Sequence, residues 1–168
     1  RAVGRQIVEA EAAAAAACIG QLFPQSHRIG QRRAGLRGNH RRDQEVLREN
    51  LPMARERNMG VIAKRPIANA AWKNGKKPEN SYHHEYWERL QKLQYDFLKN
   101  KLDDAVSTVL RFTLSQPGVH TAIVGTKQPG RWKQNAALLE AGPLTQQEID
   151  AIRTRWSAIA DSSWVGQV

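Results

Sequence analysis

Apolar positions along the chain follow two regimes. From Asp43 onward they recur at helical or strand spacing, whereas the text before it shows neither period. Leu47, Leu51 and Ala54 fall at helical spacing, with Pro52 tolerated in a first turn and Asn58 closing the helix after Arg57. Gly60-Val61-Ile62-Ala63 is a short apolar run stopped by Pro66 and reads as a buried strand. Trp72 to Asn80, with Gly75, Lys76, Lys77 and Pro78, reads as a surface loop. Ser81 then supplies a cap, Glu85 lies in the first turn, and Tyr86, Leu90, Leu93 and Phe97 continue one helical face. A second helix spans about Asp103 to Ser115, with Val106, Val109, Leu110 and Leu114 on one side and Pro117-Gly118 ending it. Thr121-Ala122-Ile123-Val124 is another short buried strand that closes at Gly125-Thr126. Pro129 marks a further helix start, with Trp132, Ala136 and Leu139 as its apolar stripe. Thr145-Gln146-Gln147-Glu148 has the capping-box pattern, and Ile149, Ile152, Trp156 and Ile159 follow on one face.

Strands alternating with helices predict a parallel α/β sheet. Two parallel strands leave their outer edges unpaired and cannot make a covered sheet alone. The periodic part therefore reads as the end of a larger α/β domain.

Composition sharpens the contrast between the two regimes. Residues 1 to 63 contain eleven Arg and no Lys, whereas nine Lys and six Arg occur from Lys64 onward. Arg28, Arg32, Arg33, Arg37, Arg41 and Arg42 cluster without an acid among them. Ile7 to Ile19 is alanine-rich and predicts a helix able to bury little area. Residues 1 to 42 thus read as an atypical Ala/Arg-rich segment, poorly ordered or lacking its partner surface. One cysteine excludes an internal disulfide framework and weighs against a Cys/His zinc site. The longest apolar run, Ala12 to Ile19, is too short to span a membrane, and no signal-peptide pattern opens the chain. The expectation is a soluble, cytoplasmic protein. The formal charge of +10 suits an anionic cofactor or a nucleic-acid partner.

Candidate chemistry follows the second strand. In Ile123-Val124-Gly125-Thr126-Lys127-Gln128-Pro129-Gly130-Arg131, a strand emits a tight turn just before a helix. Backbone N–H groups at such a start suit phosphate, with the Thr126 hydroxyl and the Lys127 charge beside them. Arg131 offers a planar cation that can stack on an aromatic base. Gln134 and Asn135 lie three and four residues on, so one helical face carries all three side chains. Amides there match the edge of an adenine. Phosphate and adenine together describe one end of a nucleotide.

The stretches GVIAKRPIAN (Gly60 to Asn69), LSQPGVHTAIVGT (Leu114 to Thr126), PGRWKQN (Pro129 to Asn135) and SWVGQV (Ser163 to Val168) resemble the C-terminal half of an aldo/keto reductase. The resemblance covers residues 43 to 168 and is most specific in VHTAIVGTKQPGRWKQNAALL. It implies a partial (β/α)8 TIM barrel, here the C-terminal half, with NADPH bound without a Gly-rich nucleotide loop. It also implies carbonyl/alcohol interconversion on a small-molecule carbonyl substrate. By the same resemblance, Gly125, Thr126 and Lys127 meet the adenosine 2′-phosphate. Arg131 pairs with that phosphate and stacks on adenine, and Gln134 and Asn135 contact the adenine edge. Lys64, Arg65 and Ile67 match the loop beside nicotinamide and pyrophosphate. Relatives often carry a stacking aromatic there, and Lys64 and Arg65 instead suit pyrophosphate by charge.

The family's catalytic tyrosine, lysine, aspartate and histidine belong to the first half of the barrel, and no stretch here matches it. Tyr82, Tyr86 and Tyr95 have core or surface spacing, His83 and His84 read as solvent-facing, and His120 reads as structural. No catalytic residue is assigned, and the chain is expected to be inactive alone. Lysine-free, arginine-rich text before Asp43 is what a shifted reading frame of a GC-rich gene yields, so a truncated or frame-shifted reductase is the expectation. The alternative is a nucleic-acid or anionic-surface binder using Arg28 to Arg42. No aromatics interleave with those arginines, and no nucleic-acid module accompanies them, which weighs against it.

Overall fold

A computed structural model describes the backbone of residues 7–11 and all of 51–161, 163 and 164. The Arg28–Arg42 cluster and most of the Ala-rich segment lie outside the described residues.

Three parallel strands form one sheet in the order β1-β2-β3. They are β1 (Ile7–Glu11), β2 (Gly60–Lys64) and β3 (Thr121–Ile123). Ile7 pairs with Gly60 and Glu11 with Lys64, while Ile62 pairs with Thr121 and Lys64 with Ile123. The strand at Ile7–Glu11 corrects the first five residues of the helix expected from Ile7 to Ile19, the rest of which lies outside the described residues. Alanine's helix propensity is a weak prior, and β2's backbone groups on that side gain a hydrogen-bonded partner instead. Ile7 and Val8 are β-branched and suit a strand.

Helix α1 (Leu51–Glu56) precedes β2, buries Leu51 and Ala54, and ends where Asn58 turns left-handed at φ 51°. Between β2 and β3 lie α2 (His84–Leu93) and α3 (Leu102–Leu114). After β3 come α4 (Arg131–Ala137) and α5 (Gln146–Ile159). This reproduces the helix–strand order expected from Asp43 onward.

The main core joins α2, α3 and α5, with Tyr86, Leu93, Val109, Phe112 and Trp156 almost wholly buried. Trp164 packs edge-on to Trp156 at 5.2 Å and closes that core. Thr145 and Glu148 form the expected capping box on α5.

Four local expectations change. Asn80, not Ser81, provides the cap, its side chain accepting from the Tyr82 N–H at 2.9 Å. The helix read through Phe97 stops at Leu93, where Gln94 turns left-handed, and Tyr95 swings inward to donate to the Ile152 carbonyl. Trp72 is buried against the main core rather than belonging to a surface loop. β3 has no buried residue, since Thr121 and Ile123 are exposed, Ile123 by 52%, and Ala122 is half-buried.

Candidate functional site

The carboxyl ends of β2 and β3 open into one cleft of about 950 Å³. That is near the upper end of the usual 300–1,000 Å³ for small-molecule sites, at about the place where α/β sheets bind ligands. Its floor is Ile123 and Val124. One wall is the segment after β2, Lys64 to Ala70, and the other is the turn from Gly125 to Gln128 with the start of α4. Leu102 and Val106 of α3 add apolar surface.

Charge is one-sided. Lys64, Arg65, Lys73, Lys127 and Arg131 line the cleft, and no Asp or Glu is among the described lining residues. A concave, uniformly cationic surface raises the local concentration of anions.

The β2–α2 segment is conformationally unusual. Among the described residues six non-glycine residues have positive φ, and four of them, Arg65, Ala68, Asn69 and Ala70, fall here. Each such residue costs on the order of 1 kcal/mol, which persists only where surrounding packing imposes it. Pro66 and Ala68 are buried and anchor the segment. The Arg65 guanidinium lies 5.1 Å above the Tyr82 ring and donates to the Tyr86 hydroxyl at 3.3 Å. The Asn69 amide donates to His83 Nδ1 at 3.4 Å. Backbone strain is thus concentrated on the cleft wall and stabilised from α2 and the turn Ser81–His83 that precedes it.

On the opposite wall, the Gln128 N–H donates to Thr126 Oγ1 at 3.0 Å and tightens the turn. Gly130 adopts φ 78° and caps α4 without a side-chain hydrogen bond, a left-handed geometry that glycine takes without strain. The helix begins at Arg131, two residues after Pro129. Arg131 Nη1 donates to Gln134 Oε1 at 3.0 Å and to Asp103 Oδ1 at 3.3 Å. Asn135 is buried, lines the cleft and presents an amide from within the wall.

Eight of the nine residues singled out from sequence meet at this cleft: Gly125, Thr126, Lys127, Arg131, Asn135, Lys64, Arg65 and Ile67. Gln134 does not line it; this side chain is exposed and tied to Arg131. Trp132, expected on the apolar stripe of α4, is 65% exposed with the Lys133 ammonium 5.4 Å from its ring. The inward face of α4 carries Asn135 instead. His83, read as solvent-facing, is half-buried in the cleft wall. His84 Nε2 donates to the Pro78 carbonyl at 2.8 Å. His120 ties two strands together, accepting at Nδ1 from the Val61 N–H at 3.1 Å while its own N–H donates to the Val61 carbonyl at 3.0 Å.

Asn69, Lys73, His83 and Gln128 are polar cleft residues to which sequence reasoning gave no role. Asn69 had a usable signal, since it follows the carboxyl end of β2 in the loop where α/β folds place ligand contacts. Lys73 and His83 had none, because a loop lysine and a histidine at a helix start resemble any solvated surface. Among the described residues no cluster of His, Cys, Asp and Glu is arranged to hold a metal. No helix among them is long and apolar enough to cross a membrane.

No curated protein and no solved structure matches the chain. The model of the aldo/keto reductase family, whose members are oxidoreductases acting on small carbonyl substrates, matches residues 37–156, more than two thirds of the sequence. On that match the chain belongs to the aldo/keto reductase family.

Proposed function

We propose that the cleft binds the phosphorylated adenosine end of NADPH in a carbonyl or alcohol oxidoreductase. The observation that carries the reading is the one-sided charge of the cleft, with Lys127 and Arg131 on one wall and Lys64 and Arg65 on the other. Those residues fit a ligand that is anionic at two places. When bound, NADPH supplies the hydride for carbonyl reduction.

The protein's own part is positioning. Lys127 and Arg131 hold the 2′-phosphate by charge-assisted hydrogen bonds, and the Arg131 plane stacks on adenine. Asn135 reads the adenine edge from its buried position. Lys64 and Arg65 neutralise pyrophosphate, while Ile67 and Val106 keep water from the adjoining surface. None of Tyr82, Tyr86 and Tyr95 lines the cleft. The buried Tyr86 hydroxyl accepts from Arg65 of the cleft wall, and the buried Tyr95 hydroxyl donates to the Ile152 carbonyl. The chain therefore binds cofactor without a tyrosine placed to donate a proton, and by itself it does not turn over.

Thermal unfolding with and without nucleotide tests this reading. A ligand at 100 times its dissociation constant stabilises the native state by about 2.7 kcal/mol. NADPH is expected to raise the midpoint more than NADH at equal concentration. Equal shifts, or none, would remove the 2′-phosphate from the account. Carbonyl reduction by the purified chain would overturn the expectation of inactivity.

A further inference from the structure

The phosphate-facing pole of the cleft contains an ion pair that phosphate binding does not require. Arg131 opens α4, and Asp103 lies in the first turn of α3. Arg131 Nη1 reaches Asp103 Oδ1 at 3.3 Å and Gln134 Oε1 at 3.0 Å. Among the described residues its Nε and Nη2 make no hydrogen bond. The arginine side chain is 25% exposed and the aspartate 64%. Asp103 itself does not line the cleft, although its helix does through Leu102 and Val106.

We propose that Asp103 is a positioning residue that parks Arg131 and competes with the 2′-phosphate for it. In this role it sets how strongly the cleft prefers a phosphorylated ribose over an unphosphorylated one. The inference rests on the NADPH reading above. A pair this exposed is weak, so it fixes a side-chain pose without blocking an incoming anion. A phosphate monoester carries roughly −1.5 to −2 charge near neutral pH and outbids a single carboxylate for the guanidinium. While bound, it must still share Arg131 with a neighbouring negative charge. Removing that charge leaves Gln134 to orient Arg131 and relieves the repulsion. Ligands without the 2′-phosphate do not engage this contest.

Calorimetric titration of the full chain with 2′,5′-ADP and with 5′-AMP separates the alternatives, using Asp103→Asn and, as control, Asp104→Asn. Asp104 is the next residue on α3, and its change alters net charge equally without touching Arg131. The Asp103→Asn protein is expected to bind 2′,5′-ADP about two- to fivefold more tightly, with 5′-AMP unchanged. The gain shrinks as salt is raised. Asp104→Asn is expected to match wild type. Wild-type binding of 2′,5′-ADP with no tightening, or a loss, in Asp103→Asn overturns the inference and leaves the cofactor reading standing. Equal tightening in both variants also overturns it, because bulk charge would then be the cause. Failure of every protein to bind 2′,5′-ADP overturns both.

Discussion

The helical core and the cleft rim obey different rules. In the core, Tyr86, Val109, Phe112 and Trp156 are almost fully buried, and the polar groups present serve packing, as where the Tyr95 hydroxyl donates to the Ile152 carbonyl. At the rim, Lys127 and Gln128 are exposed, Ile123 is half bare, and the backbone of Arg65 and Asn69 is left-handed. The core satisfies the hydrophobic effect, whereas the rim keeps cations that packing alone would not select, beside strained backbone anchored by the buried Pro66 and Ala68. Stability and charge recognition therefore reside largely in separate side chains, with Val106 shared between core and cleft, and the charged ones can be perturbed separately.

The largest expected effect lies in the core. Trp156→Ala should cost about 3–5 kcal/mol, because a large buried ring is replaced by a cavity and Trp164 loses its edge-on partner. Chemical denaturation measures it, and a loss below about 1 kcal/mol would mean that the core is not as closely packed as described. Arg131→Gln is the reverse case. Removing a charge-assisted contact costs roughly 1.5–3 kcal/mol, so affinity for 2′,5′-ADP should fall at least about tenfold. Unfolding free energy should stay within about 0.5 kcal/mol of wild type, since Arg131 makes only surface contacts. A large stability loss in that variant would erase the separation between the two regions.

The smallest effect concerns the α5 cap. Thr145→Ala should cost about 1 kcal/mol. The Thr145 N–H, and then its hydroxyl, hold the Glu148 carboxyl below the ordinary glutamate range. A carboxyl whose folded value is lowered contributes stability above its unfolded value, and that contribution disappears as pH falls through the folded one. Wild-type stability should therefore decline on acidification below about pH 4.5, the ordinary glutamate value. The variant keeps the Thr145 N–H contact but loses the hydroxyl, so its decline should be shallower. Parallel acid limbs in the two proteins would show that the capping box carries no pH dependence.

Elements governed by local signals were legible in the sequence. The α5 box, the buried face of α3 through Val106, Val109 and Leu110, and the turn at Asn58 each follow from neighbours within a few residues. What failed was partly local, as at the Asn80 cap and the left-handed Gln94, and partly dependent on distant partners. The strand at Ile7–Glu11 exists through pairing with Gly60–Lys64, which no alanine-rich periodicity reveals. Trp132 has an apolar side chain, but its outward direction is set by where Gly130 starts the helix. The cleft was legible as a motif from Gly125 to Asn135 and, on its second wall, at Lys64, Arg65 and Ile67, yet Lys73 and His83 required the fold. The Arg131–Asp103 contact spans two helices far apart in sequence and leaves no local trace.

The central claim is that the turn leaving β3 and the start of α4 hold an adenosine bearing a 2′-phosphate. Calorimetric titration of the wild-type chain with 2′,5′-ADP and with 5′-AMP tests it most directly. Saturable heat with 2′,5′-ADP, and at least tenfold weaker binding of 5′-AMP, is the predicted result. Equal affinities, or no heat with either nucleotide, would contradict it.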